Sequence, residues 1–123
     1  MDTIEREFPC NQEGLVAAQA FVASVCDEPK PAIVFDEIAS NIVRCSGATV
    51  FSMALGRGPE GLLMRFSDNG TAFDPTQEAP AVDVQASVES RKIGGLGIFM
   101  VRKMSKSLVY ERRGEWNVLS VVL

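Results

Sequence analysis

Residues able to do chemistry collect at three places in this chain. Glu37 and Asn41 stand four apart in a segment patterned as a helix, so they share one face beside its apolar stripe. A carboxylate and an amide so placed can address one ligand, the first as general base and the second as an oxygen ligand for a hard cation such as Mg²⁺. A solvated polar face gives the same spacing. Asp68 ends the alternation Leu62, Met64, Phe66, and because side chains alternate along a strand, the same count puts it on their face. A charge there is costly unless it is paired or hydrogen-bonded, and a ligand's amino group is one partner. The competing reading is a solvated turn residue ahead of Asn69-Gly70. Gly94, Gly95 and Gly97 flank Leu96 just where a helix is due, and their N–H groups at its positive end suit a phosphate. They match neither the P-loop nor the dinucleotide fingerprint. Arg91 and Lys92 stand just ahead and either add positive charge to that loop or form a solvated edge.

These groups need a scaffold to hold them together. Residues 3–8 read as a strand, and Asn11 caps a helix through Leu15, Ala18, Phe21, Val22 and Val25. A second helix starts with Pro31 in its first turn, carries the stripe Val34, Ile38, Ile42, Cys45, and is ended by Gly47. From Ala48 the period becomes two: Phe51, Met53 and Leu55 lead through a turn at Gly56 to Gly61 into Leu62, Met64 and Phe66, a hairpin. Asp74 to Ile93 contains Pro75 and Pro80 and little periodicity, which predicts a long loop that is either functional, as a lid, or disordered. A helix with Ile98, Met100, Val101 and Met104 follows, then strands near 107–112 and 116–123, the last apolar on both faces and hence central. A sheet covered on one face by helices is the economical packing, an α+β two-layer sandwich in a single domain over residues 1–123.

The composition narrows the function further. Of 123 residues 46% are hydrophobic and 23% charged, as in an ordinary globular chain with a core. A net charge of −4 without a long basic run argues against a nucleic-acid surface, whose affinity rests on neutralising phosphates. No stretch reaches the roughly 18–20 apolar residues that span a bilayer, and the charged start MDTIEREFPCNQ lacks a signal core, so the sequence predicts a cytoplasmic protein. Cys10, Cys26 and Cys45 fit no disulfide or metal framework and read as small core residues. The absence of histidine excludes Ser-His-Asp and Cys-His catalysis and phosphorylation of a histidine on this chain.

Taken in order, E-I-A-S-N on a helix, D-N-G-T-A-F-D-P after a strand, and G-G-L-G-I before a helix resemble the N, G1 and G2 boxes of the GHKL ATPase superfamily. The resemblance covers nearly the whole chain and is closest to the small bacterial anti-sigma factors that are also serine/threonine protein kinases. It implies a Bergerat-type fold with a mixed, mostly antiparallel sheet, and binding of ATP with Mg²⁺. Glu37 then corresponds to the general base, Asn41 to the Mg²⁺ ligand, Asp68 to the acceptor of the adenine amino group, and Gly70 to the glycine beneath the base. Gly94, Gly95, Leu96 and Gly97 correspond to the phosphate loop, with Arg91 and Lys92 beside it, and Phe73-Asp74-Pro75 to the start of the nucleotide lid. The implied partner is a small anti-sigma-factor antagonist that is phosphorylated on serine or threonine, with a sigma factor as second partner and a homodimer as possible assembly. Two positions depart from the family pattern: Cys45, where many relatives have histidine, and Ser105, where an aspartate is frequent. The alternatives are a non-catalytic module that binds nucleotide and a protein partner, and a detached ATP-binding domain of a histidine kinase.

Overall fold

The computed structural model describes residues 3–76 and 96–123. Strand β1 (Thr3–Pro9) leads into α1 (Gln12–Val25) and α2 (Pro29–Cys45). The hairpin of β2 (Val50–Gly58) and β3 (Gly61–Asp68) follows, then α3 (Leu96–Met104) and a second hairpin, β4 (Ser107–Arg113) and β5 (Trp116–Val122). The sheet order is β1-β2-β3-β5-β4, and every neighbouring pair is antiparallel. The fold is α+β, as the patterning requires, but the described sheet has no parallel pair where the resemblance implied a mixed one. β5 lies inside the sheet, between β3 and β4, as its apolar faces predict.

Local chemistry sets the boundaries. Asn11 Oδ1 accepts the Gly14 N–H at 2.8 Å, relieving one of the unpaired donors at the start of α1. Pro29 and Pro31 occupy the first turn of α2, where a missing N–H costs nothing, and Gly47, at φ +70°, takes the left-handed conformation that follows the helix end. The first hairpin is tighter than the glycines suggest. Both strands pair as far as Gly58 and Gly61, which leaves only Pro59 and Glu60 to turn.

The core lies between the sheet and the helices. Phe51, Met53 and Leu55 of β2, Met64 and Phe66 of β3 and Val121 of β5 are buried against Val34, Phe35 and Ile38 of α2 and Val101 of α3. Burying such side chains contributes about 1.5–3 kcal/mol each, which is why the helical face carries the fold. Two apolar expectations fail. Cys45 is exposed although it lies on the stripe, about 20° round from Val34, because it is the last residue of α2 and stands beyond the core that ends at Ile42. Met100 is 40% exposed, being about 200° round α3 from buried Ile98. Among the cysteines Cys26 is buried and Cys10 half-buried, so the reading of three core cysteines holds fully only for Cys26. Among the described residues no helix is long and apolar enough to cross a membrane.

Candidate active site

Strand register brings the polar groups into line. Asp68 is the last residue of β3, on the helix side of the sheet, and pairs directly with Asn117 of β5, which in turn faces Arg112 of β4. Asp68 is 5% exposed and Asn117 6%, which makes them rare buried polar groups in an apolar sheet. Each is well supplied with partners. Asp68 Oδ1 accepts the Gly70 N–H at 2.9 Å and the Asn117 Nδ2 amide at 3.0 Å. Asn117 also donates to the Thr71 carbonyl at 2.9 Å, and its Oδ1 accepts from the Tyr110 hydroxyl, 2.6 Å, and from Arg112 Nη1, 3.2 Å. The Phe73 N–H reaches the same oxygen at 3.3 Å, so the loop after β3 is fastened to β5. The turn reading of Asp68 therefore gives way to a strand residue held in place by hydrogen bonds.

Gly70 serves this loop by its smallness. A Cβ there would stand 2.5 Å from the Ser46 carbonyl oxygen and 2.9 Å from Asp68 Oδ1, while Thr71 N–H donates to that same carbonyl at 3.0 Å. Any side chain would push the loop off the end of α2. Phe73 is 41% exposed, and Asp74 Oδ1 accepts from the Thr76 N–H and hydroxyl. Arg102 of α3 donates to the Thr76 carbonyl at 2.7 Å. Beyond Thr76, the expected lid through Ile93 lies outside the described residues, as do Arg91, Lys92, Gly94 and Gly95.

Asp68 and Asn117 open onto a cavity of about 310 Å³ between sheet and helices. Ile38 and Ile42 of α2, Ile98 of α3, Leu119 of β5 and Phe73 of the loop give it apolar walls, into which Asp68, Asn117, Asn41 and Tyr110 bring polar atoms. An apolar slot with a few convergent polar groups is the form of a small-molecule site. An aromatic base suits it: flat faces against the aliphatic walls, edge donors toward Asp68. Cys45 borders the same cavity.

On the helix wall, Asn41 keeps its Oδ1 buried without a hydrogen-bond partner among the described residues. A buried amide oxygen without a hydrogen bond costs roughly 1–3 kcal/mol, a cost that a bound ligand would remove. A hard cation fits it: Mg²⁺ takes oxygen ligands, and typically one or two from protein with the rest from phosphates and water. No cluster of three or more acidic, cysteine or histidine residues that could hold a metal occurs among the described residues. One turn earlier, half-buried Glu37 lies directly against Gly97 in the first turn of α3. A Cβ at 97 would collide with its carboxylate oxygen and lie 3.3 Å from its Cδ. Leu96 starts α3. Thus Asn41 and Asp68 line one cavity, while Glu37, one turn before Asn41, lies against Gly97 and is not part of the cavity wall.

Comparison with known proteins agrees with this architecture. The profile of the histidine kinase-like ATPase domain matches residues 15–123. The chain belongs to this family. ATP binding is what the family's ATPase domain implies. A relative in Bordetella bronchiseptica, the serine/threonine-protein kinase BtrW, is 36% identical over 58 residues, 47% of this chain. The chain spans about 40% of the length of that relative.

The sequence did not single out Asn117, Tyr110 or Ser46. The signal for Asn117 was present: it breaks the apolar alternation Asn117, Leu119, Val121 at the point where β5 passes Asp68.

Proposed function

We propose that this domain, a single ATP-binding unit, binds ATP with Mg²⁺ and transfers the γ-phosphoryl group to a serine or threonine of a small partner protein. The observation that carries this reading is the contact of Glu37 with Gly97 at the start of α3, one turn from the unpartnered Asn41 oxygen. Asp68 accepts the base's amino group, the cavity walls sandwich its ring, and the phosphates run past Asn41 toward the N-terminus of α3, whose dipole and N–H groups favour them. Asn41 would hold Mg²⁺, and the ion would supply charge neutralisation to the departing phosphoryl group. Glu37, across from that helix start, takes the proton of the attacking hydroxyl, which requires a carboxylate within reach and ionised. Arg91, Lys92, Gly94 and Gly95 complete the phosphate loop, and Phe73 borders the nucleotide entrance.

The resemblance to anti-sigma-factor kinases and the likeness to BtrW, named a serine/threonine-protein kinase, support a protein hydroxyl as acceptor. By this reading the partner is an anti-sigma-factor antagonist, and its phosphorylation decides whether the kinase holds a sigma factor. The setting is the cytoplasm, with neither membrane nor nucleic acid as direct partner. The test is to copurify the protein with its partners from its own cells, add radiolabelled ATP with Mg²⁺, and map the modified residue. Label on serine or threonine of one small copurified protein is expected. ATP binding without labelling of any copurified protein would overturn the kinase reading in favour of a nucleotide-dependent binding module.

A further inference from the structure

Of the residues around the cavity, Asn117 has a network out of proportion to a structural amide. Its orientation is fixed by the groups around it. The Phe73 N–H and the Arg112 guanidinium can only donate, so both require the oxygen on their side, and the Thr71 carbonyl and Asp68 carboxylate can only accept, so they require the nitrogen. Tyr110 adds a third donor to the oxygen at 2.6 Å. Donors gathered on the oxygen polarise the amide and strengthen what its nitrogen donates. The chain of bonds therefore runs from the Arg112 cation through the amide to Asp68 Oδ1, which also holds the Gly70 N–H.

We propose that Asn117 is the positioning residue that sets base specificity: it pins Asp68 by Oδ1 and so presents Oδ2 to the amino group of adenine. This rests on the nucleotide reading above and adds its discriminating element. With Oδ1 taken up by two donors, Oδ2 is left to accept from the ligand, and a carboxylate has only acceptors to offer. A purine with an oxo group in place of the amino group meets that acceptor with another. Arg112 Nη1 also donates to the Gly70 carbonyl at 2.9 Å, so the same cation steadies the loop and the amide.

Asn117→Asp removes the amide donor: the carboxylate keeps an acceptor for Tyr110, Arg112 and the Phe73 N–H but turns a second acid toward Asp68, so the pair must repel or share a proton and Oδ1 is no longer held by an amide. Binding of ADP and of inosine diphosphate is measured by calorimetry on the intact protein, with circular dichroism as a check on folding. Wild type should prefer ADP. In Asn117→Asp the affinity for ADP should fall about 10-fold or more, the scale of one charge-assisted hydrogen bond, while that for inosine diphosphate changes by less than about threefold. Equal loss of both would show a merely structural role and overturn the inference with the nucleotide reading intact. Wild type that binds neither nucleotide would overturn both. Should Asn117→Asp not fold, exposed Arg112→Met removes the polarising cation instead. A loss of about threefold for ADP alone is expected there, and no loss or an equal loss for both nucleotides overturns the inference.

Discussion

Asp68 and Asn117, on the sheet wall of the cavity, are buried and bonded to each other and to five further backbone and side-chain groups. Asn41, on the helix wall, keeps a buried oxygen without a partner among the described residues, and Glu37 is half-buried against a glycine. A satisfied network resists rearrangement and so can discriminate shapes, whereas an unsatisfied one carries a cost that a bound ligand would remove. On the proposed reading recognition and chemistry fall on different walls, and substitutions should separate them.

The largest separation concerns Glu37. Glu37→Gln should slow phosphoryl transfer by about 100-fold or more, the usual scale of general-base catalysis, and leave ADP affinity within about threefold of wild type. Single-turnover kinetics beside calorimetry would measure both, and an unchanged transfer rate would remove Glu37 from its role. Gly97→Ala should act in the same direction and less strongly. The added methyl displaces the end of the Glu37 side chain, which can swing away, so the protein should fold normally while transfer falls about 10-fold.

Asn41→Leu tests the cost of the unsatisfied oxygen. Replacing an unsatisfied buried amide by an apolar side chain of similar volume should stabilise the apo protein by about 1 kcal/mol in urea unfolding with EDTA present. The same variant should lose the part of ADP binding that depends on Mg²⁺. Destabilisation of the apo form by the same amount would mean that the oxygen already has a partner.

The smallest effect is at the thiols. Burial pushes the Cys26 thiol pKa up, so at any pH near neutrality less of it is thiolate, and exposed Cys45 should alkylate first. Labelling of Cys26 should grow as pH rises. The sign for stability is the opposite: a raised folded pKa means the unfolded chain releases that proton more readily, so Cys26 favours the fold below the ordinary thiol range and less above it. Bound ADP should slow Cys45 labelling a few-fold because that residue borders the cavity, which mass spectrometry of iodoacetamide adducts would follow.

Most of the fold was legible because its signals are local. The period of two in β2 and β3, the Asn11 cap, the early prolines of α2 and the stop at Gly47 each fix an element without help from its neighbours. Asp68 could be placed on the helix side by counting along one strand. What counting could not reach depends on partners distant in sequence: Asn117 acts on Asp68 across 49 positions, and Gly70 is required by the backbone of Ser46. Cys45 was misplaced because a periodic stripe fixes direction but not where the packing stops: it lies on the stripe, yet it is the last residue of α2 and ends at the cavity rim.

The most direct test of the account is thermal or urea unfolding of wild type and Asp68→Asn with and without Mg-ADP. A ligand that binds only the folded state at about 100 times its dissociation constant should stabilise wild type by roughly 2.7 kcal/mol. Asp68→Asn, which offers an amide where the base needs a carboxylate, should fold and show no such gain. Equal stabilisation of both proteins by Mg-ADP, or of neither, would contradict the account.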